Sequence, residues 1–561
     1  MIEKISSNIF SDRKIAYFSM EIGIRQEFST YSGGLGILAG DTVYSAADLK
    51  VPLIAFTLAS RKGHFHQEIS PLGRQIEHPD EWHPERYCTP LPEVVEVNIQ
   101  KRPVKVQGWL YVVESTTGGL VPIIFLDTNH NDNAPEDRSI TDSLYGDGDN
   151  YRIRQEIILG VGAYKFIKVL GLDIMKYHLN EGHASFLLLE LLKEHKMDID
   201  KVRKKCVFTT HTPVEAAFDK YTYDVVADLL GDLVPIESIK KYAGENRMNM
   251  TLLALNLSGF VNGVAKKHQE TTQQLFPSYA IRAITNGVHS YRWTHPAFRK
   301  LYDRYIPGWA KQPQLLVRVK IIPDDEIWDA RHEAKHDLLR YVNTKTGKDF
   351  TCDKFTIGFA RRATTYKRHT LLFSDIERLK KINRKYPFQL IFAGKAHPAD
   401  GYGKHMIEEI FSYIEYLRNE IKIVYLPNYD IEMASRLISG VDLWLNTPQR
   451  PMEASGTSGM KAAHNGVINF SVPDGWWAEG CIEGVSGWRI GPTEVGNTSP
   501  EDLKEQEISD LYNKLEYVIL PMYYDQRDRW LEMMDDSIAT IAYYFNSHRM
   551  MQSYIIDAYF L

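Results

Sequence analysis

One lysine of this chain sits in an unusual setting. In EASGTSGMKAAHNG (Glu453 to Gly466), Lys461 lies eight residues after Glu453 and directly behind Thr457, Ser458, Gly459 and Met460. A solvated surface lysine needs no such run, so the pattern raises the question of an amine bonded to something. A second stretch, RRATTYKR, gathers Arg361, Arg362, Lys367 and Arg368 just after an apolar run. Arginine offers planar two-point binding of phosphate and lysine a compact charge. Read as the start of a helix, the four cations would crowd a positive helix end that favours acids, and a bound anion would offset the repulsion. Thr457, Ser458 and Gly459 present hydroxyls and amides at the start of another helix, a second anion site. Two phosphate-sized sites in neighbouring loops imply either a diphosphate or two separate phosphates. Ser32-Gly33-Gly34-Leu35-Gly36 is a weaker signal, since a glycine cluster is as readily a tight turn as an anion cradle.

Short apolar, β-rich runs alternate with helical patterns and so position these residues. In the C-terminal half they are FTIGFA (Phe355 to Ala360), FQLIFAG (Phe388 to Gly394), IKIVYLP (Ile421 to Pro427), VDLWLNTP (Val441 to Pro448) and VINFSV (Val467 to Val472). The N-terminal half repeats the rhythm with KIAYFSME, VPLIAFTLA, LVPIIFLD, KYHLNE, KCVFTTH and IRAITNGVH, interrupted by a β-rich segment from Pro79 to Gly119. Nearly continuous apolar strands separated by helices predict an α/β fold with parallel sheets covered on both faces. Ligands then bind beyond the carboxyl ends of the strands, where the sequence places SMEIG, Gly182-His183, His211, Thr285-Asn286-Gly287, RRATTYKR and PMEASGTSGMK. The expected organisation is an N-terminal domain over 1–290, a second over 291–537, and a final helical run over 538–561 that packs back on the first.

Composition narrows the class. The chain has 561 residues, 44% hydrophobic and 25% charged, with a formal net charge of −6 and no dominant run of like charge. That suits a large two-domain protein and gives no basic footprint for nucleic acid. The four cysteines (Cys88, Cys206, Cys352, Cys481) are far apart and form no C-x-x-C pair, which fits a reducing compartment. MIEKISSNIFSDRK lacks an apolar signal core, and no apolar run is long enough to span a bilayer, so a cytoplasmic protein away from membranes is expected.

EASGTSGMKAAHNG, RRATTYKR, SGGLG, THTPVEA, TNGV and DGWW, in this order-preserving set from Gly33 to Trp477, resemble the α-glucan (glycogen or maltodextrin) phosphorylases in their short microbial form. The resemblance implies two Rossmann-like domains facing a cleft, the GT-B-type glycosyltransferase architecture, with pyridoxal 5′-phosphate as cofactor. Lys461 matches the family's Schiff-base lysine. Arg361, Thr457, Ser458 and Gly34 would hold the cofactor phosphate, with Tyr429 and Trp293 lining its ring or pocket. Arg362 and Lys367, with the Gly34 amide, would hold inorganic phosphate. Glu453 and Asn286 would hydrogen-bond sugar hydroxyls, Gly34 and Leu35 would also touch substrate, and the His211 carbonyl would lie near the developing positive charge. The implied reaction is phosphorolysis of a terminal α-1,4-glucosidic bond of an α-glucan to α-glucose 1-phosphate with retention, by a homodimeric enzyme. The catalytic set would be Lys461, Arg362, Lys367 and His211, and no metal is required.

The chain departs from longer members, which usually carry GTGNMK and KRIHEYKR, so contacts of the lost Glu and His are in doubt. Nothing matches a regulatory phosphorylated tail or nucleotide effector site, so allosteric control is expected to be absent. Asn129 to Asn133 is a guess for a sugar-gating loop. HEAKH (His332 to His336) mimics a zinc-protease motif, but both histidines fall opposite the apolar face of Ile327, Ala334, Leu338 and Val342. Trp476 and Trp477 suit either sugar stacking or a core. Competing readings are a nucleotide-sugar glucosyltransferase resembling glycogen synthase, which needs no modified lysine, and a glucan-binding protein without catalysis. A transaminase-like enzyme has no support.

Overall fold

The computed structural model describes residues 9–10, 12–146, 148–231 and 233–560; most of the N-terminal stretch read for a signal lies outside the described residues. The chain divides into two compact units. The first comprises Met1–Phe65, Pro79–Thr285 and Met550–Leu561, the second His66–His78 and Asn286–Arg549. Among the described residues, no helix is long and apolar enough to cross a membrane.

The first unit is built on a sheet whose strands run, in spatial order, Arg282–Ala283, Phe260–Gly263, Cys206–Thr209, Lys176–Asn180, Ile15–Ser19, Leu53–Leu58, Leu120–Asp127, Arg102–Glu114 and Thr89–Ile99. All neighbours are parallel up to Leu120–Asp127, and the last two strands are antiparallel. Those two come from the β-rich Pro79–Gly119 segment and extend the parallel sheet at one edge. IAYFS and LIAFTL are buried at every position, as central strands covered on both faces must be. Chain order reverses between Ile15–Ser19 and Lys176–Asn180: later strands are added outward from Lys176–Asn180 on one side, and on the other the chain continues from Ile15–Ser19 to Leu53–Leu58.

The second unit carries an all-parallel sheet in the order Lys422–Leu426, Phe388–Ala393, Phe355–Ala360, Leu443–Asn446, Ile468–Ser471, Gly487–Arg489. Its reversal falls between Phe355–Ala360 and Leu443–Asn446, and such a switch point opens a crevice at the carboxyl ends. The hairpin His66–Ile69/Gln75–His78 belongs to this unit. Its Gln67 side chain donates to the Gly394 carbonyl at 2.9 Å and Gln75 to the Ala396 carbonyl at 2.9 Å.

The helix Asp324–Thr346 carries the HEAKH stretch. Ile327, Ala334, Leu338 and Val342 are buried, His336 is exposed, and His332 lies against Trp328 at 4.8 Å between ring centroids. The same helix also buries two cations that hydrophobic periodicity does not reveal. Lys335 Nζ lies 2.6 Å from Asp442 Oδ2, and Arg331 donates to the Ser439 and Gly440 carbonyls at 2.6 and 2.9 Å. Asp442 Oδ2 also accepts the Thr356 amide at 2.8 Å, tying the helix to the strand that leads into RRATTYKR. Removing one member of a buried ion cluster leaves charge uncompensated. Asp442→Ala is therefore expected to lower unfolding stability by about 3–5 kcal/mol, measured by denaturant titration.

Candidate functional site

At the switch point of the second unit, Arg361 is the first residue after its strand and Glu453 lies in the loop after Leu443–Asn446. Glu453 Oε2 receives Arg361 Nη2 at 2.5 Å and also the Lys367 ammonium. Burial would raise the Glu453 carboxyl, but the charges and hydrogen bonds of Arg361 and Lys367 outweigh it and hold its pKa at about 2. Arg361 Nη1 is buried without a hydrogen-bond partner. Arg362 is exposed, and no ionic or hydrogen-bonded partner for it is seen among the described residues.

The expected helix at RRATTYKR is absent. A single 3-10 turn covers Thr365–Lys367, and the next α-helix, Ile376–Lys385, starts with the Asp375 carboxylate accepting the Arg378 amide at 3.0 Å. Arg368 adopts the left-handed conformation (φ 49°) and turns away from Glu453. It donates to the Thr447 and Pro448 carbonyls at 2.8 Å each and pairs with Glu507 at 2.6 Å. Arg361 and Lys367 therefore form the pair on Glu453, Arg368 is engaged elsewhere, Arg362 is exposed, and the helix end takes acids as its dipole favours.

The Glu453 loop is fixed from behind by DGWW. The Asp474 carboxylate accepts the Glu453 and Gly475 amides, each at 2.9 Å. Burial, reinforced by the Glu453 charge, raises Asp474 to about 6. Gly475 has φ 52°, and a Cβ there would lie 2.3 Å from the Ser455 carbonyl oxygen, so only glycine allows this approach. Trp476 and Trp477 are both core residues, packed at 5.0 Å on each other.

Lys461 lies in the helix Ser458–Ala463, 7% exposed, with Nζ 3.9 Å from the centroid of the Trp293 ring. Two residues just beyond hold this pairing. Asn465 donates to the Trp293 and Lys461 carbonyls at 2.9 and 3.0 Å and accepts the His295 amide at 2.6 Å. His464 Nδ1 donates to the Met460 carbonyl at 2.8 Å, leaving Nε2 to accept the Ser290 hydroxyl at 2.9 Å. Thr457 is the N-cap residue of the lysine helix, and Ser458 Oγ accepts the Trp444 indole N–H at 2.9 Å. Tyr429 is half-buried beyond the end of Lys422–Leu426. Asn286 is buried with its side-chain oxygen unpartnered, and its own carbonyl accepts Arg549 at 3.1 Å.

In the first unit, the glycine loop opens the helix Gly34–Asp48, but part of its anion capacity is already filled. Glu21 Oε2 accepts the Ser32 and Gly33 amides at 2.5 and 3.2 Å, and Tyr145 donates to Oε1 at 2.9 Å. The amides of Gly34 and Leu35 take no partner among the described residues, and the space around a Gly34 Cβ is open. Across the switch point, His211 Nε2 donates to Asn180 Oδ1 at 2.7 Å, and burial drops its pKa to about 3, keeping it neutral. Its backbone amide donates to Glu181 Oε2 at 2.6 Å, and Thr212 donates to the same oxygen at 3.1 Å.

Glu181 escapes sequence reasoning, where LNEGH draws attention only to His183. It holds φ 72° without being glycine, a strain that persists where its surroundings over-determine it. His183 is buried beside Asp219, its Nε2 3.6 Å from Oδ2. Glu156, His183 and Asp219 each bring a potential metal-ligand atom within 4.8 Å of the others. Burial and the Asp219 charge push the Glu156 carboxyl well above its ordinary range.

These features define an α/β enzyme architecture with polar groups at two sheet switch points, one of them a cation pair held by a carboxylate in the same unit as a buried lysine. The chain belongs to the carbohydrate phosphorylase family, whose model matches residues 233–481. It is 39% identical to the maltodextrin phosphorylase of Thermococcus litoralis, over 98% of this chain and 70% of that protein. It is 33% identical to the glycogen phosphorylase of Aquifex aeolicus, over 98% of this chain and 86% of that protein. An uncharacterized protein of Methanocaldococcus jannaschii is 31% identical over 97% of this chain and 99% of its own length.

Burial raises the Glu181 carboxyl to about 7, against partial relief from its hydrogen bonds. The folded state then binds more protons than the unfolded chain above the ordinary carboxyl range, so this residue costs stability as pH rises towards and through 7. Glu181→Gln removes that cost. Its unfolding free energy relative to wild type should rise by roughly 1–3 kcal/mol between about pH 5 and pH 8. A difference that stays flat over that range, measured by thermal unfolding, would place Glu181 in an ordinary carboxyl environment.

Proposed function

We propose that this chain is an α-1,4-glucan phosphorylase, transferring the terminal glucosyl unit of a maltodextrin or glycogen chain to inorganic phosphate and releasing α-glucose 1-phosphate with retention. The observation that carries the reading is the buried Lys461 on the Trp293 ring, in the same unit as the Arg361–Lys367 pair on Glu453. Relatives named maltodextrin and glycogen phosphorylase over nearly the whole chain support it. Nothing comparable favours a nucleotide-sugar glucosyltransferase or a non-catalytic glucan binder. The same reading carries a cytoplasmic homodimer.

The residues present fit pyridoxal 5′-phosphate. Lys461 is buried beside an aromatic face, and Arg361 keeps a buried N–H without a partner. Lys461 would anchor the cofactor, with Trp293 and Tyr429 at its ring and Arg361, Thr457 and Ser458 at its phosphate. When bound, its phosphate supplies a group that shares a proton with the substrate phosphate.

The protein's own groups do the rest. Arg362 and Lys367 offset the charge of inorganic phosphate and hold it in place, where two anions would otherwise repel. Arg362, already exposed and unpaired, supplies planar two-point contacts. Asn286 offers its unpartnered side-chain oxygen to a sugar hydroxyl, and Glu453 accepts others. The His211 backbone amide is held by Glu181 and its ring by Asn180, so its main-chain carbonyl would be held towards a glucosyl ring. Gly34 and Leu35 supply amides to substrate. No carboxylate pair of the glycosidase kind is needed, because the proton for the departing oxygen comes from the substrate phosphate.

Borohydride treatment of the purified protein followed by peptide mapping should place a pyridoxyl group on Lys461. Lys461→Ala should lose both the label and phosphate-dependent release of glucose 1-phosphate from maltodextrin; full turnover by that variant without added cofactor would end the proposal. Arg362→Ala should raise the KM for phosphate by roughly 10-fold or more while changing the KM for glucan little. An unchanged phosphate dependence in steady-state kinetics would remove Arg362 from this role.

A further inference from the structure

Glu453 is the one residue that the family resemblance gives to sugar hydroxyls and the structure gives to the phosphate-binding cations. Its Oε2 alone receives both Arg361 and Lys367. No hydrogen bond to Oε1 is seen among the described residues. The side chain is 10% exposed. Its backbone cannot follow a moving side chain, because Asp474 holds the Glu453 amide and Gly475 is pressed on Ser455. Motion is left to side-chain rotation.

The charges set the consequence. Glu453 is firmly ionised, at about 2. A phosphate dianion reaching Lys367 must then sit beside a carboxylate in a partly water-excluded crevice, where like charges repel strongly. Phosphate binding therefore requires the carboxylate to give up its hold on the lysine. A sugar unit presenting hydroxyl donors offers that carboxylate alternative partners.

We propose that Glu453 couples the two substrates: in their absence it holds Lys367 as an internal anion, and a glucosyl unit that draws it away frees Lys367 for phosphate. This rests on the reading that Lys367 and its neighbours bind inorganic phosphate. Coupling of this kind is reciprocal. Phosphate must favour sugar binding by the same factor by which the sugar favours phosphate. A chain end would then engage before, or together with, a tightly held phosphate, and Lys367 would stay neutralised when no glucan is present.

The test uses D-glucose, which has no glucosidic bond to cleave, and inorganic phosphate, titrated calorimetrically into the cofactor-loaded protein. Wild type should bind phosphate about 5-fold or more tightly when saturated with glucose, an ordinary size for such coupling. Glu453→Gln, which keeps the shape and removes the charge, should bind phosphate more tightly than wild type without glucose, by about the same factor. The glucose effect on phosphate should vanish in that variant. Glu453→Ala should move phosphate affinity in the same direction if the thermal midpoint shows it folded. Weaker or unchanged phosphate binding in Glu453→Gln, or a glucose effect that survives the substitution, overturns the coupling role. Lys367→Met separates this from the underlying reading: if it binds phosphate as wild type does, phosphate does not use this cluster and the functional assignment of the cations fails with it.

Discussion

The second unit is organised around one carboxylate holding cations at the end of two adjacent parallel strands. Arg361 and Lys367 converge on Glu453 only because Phe355–Ala360 and Leu443–Asn446 lie side by side although more than 80 residues separate their first positions. The loop that carries Glu453 is in turn shaped by Asp474 and by the close approach of Gly475 to Ser455. Two separate sequence stretches thus meet at one oxygen atom, and a third holds the loop behind it. Their ion pairs matter energetically because they are shielded from water, where an exposed pair would be worth little.

Lys461 depends on a different kind of constraint. The helix carrying it is only six residues long and could not hold a buried amine by its own hydrogen bonds. Its rigidity comes from His464 and Asn465, which bridge to Ser290, Trp293 and His295. These contacts use buried, oriented groups with defined donor and acceptor roles, so the lysine and the indole face are set before any ligand arrives. The first unit reaches rigidity through strain instead. Glu181 accepts three hydrogen bonds from a backbone conformation that few non-glycine residues adopt. The carboxylate orders the His211–Thr212 turn, and the neutral imidazole is kept there by burial.

Much of this architecture is legible in the residues. Apolar runs such as FTIGFA and LVPIIFLD coincide with strands from end to end because buried parallel strands admit few other residues. Placement of polar groups at the carboxyl ends follows from the same alternation of strand and helix. RRATTYKR misleads because a run of cations after a strand looks alike whether a helix or a single turn follows. The left-handed Arg368 decides against a helix, and it is chosen by contacts with Thr447, Pro448 and Glu507 far along the chain. Arg331 and Lys335 are equally hidden: periodicity marks charged positions as solvent-facing, whereas Asp442, a hundred residues later, makes their burial affordable. Trp476 and Trp477 could have faced sugar or core, and only packing against Phe545 and the Trp488 strand region puts them inside.

The sequence by itself determined the fold class, the positions of most strands along the chain and which stretches gather charge, because these follow from hydrophobic periodicity, turn chemistry and side-chain charge within short windows. Family membership was likewise carried by local motifs. Tertiary structure alone decided which charges neutralise one another, which amides and carbonyls remain without partners, and which carboxylates titrate far from their ordinary range. Those properties depend on distance and on exclusion of water, and both are set by residues that the chain brings together only when its strands pair.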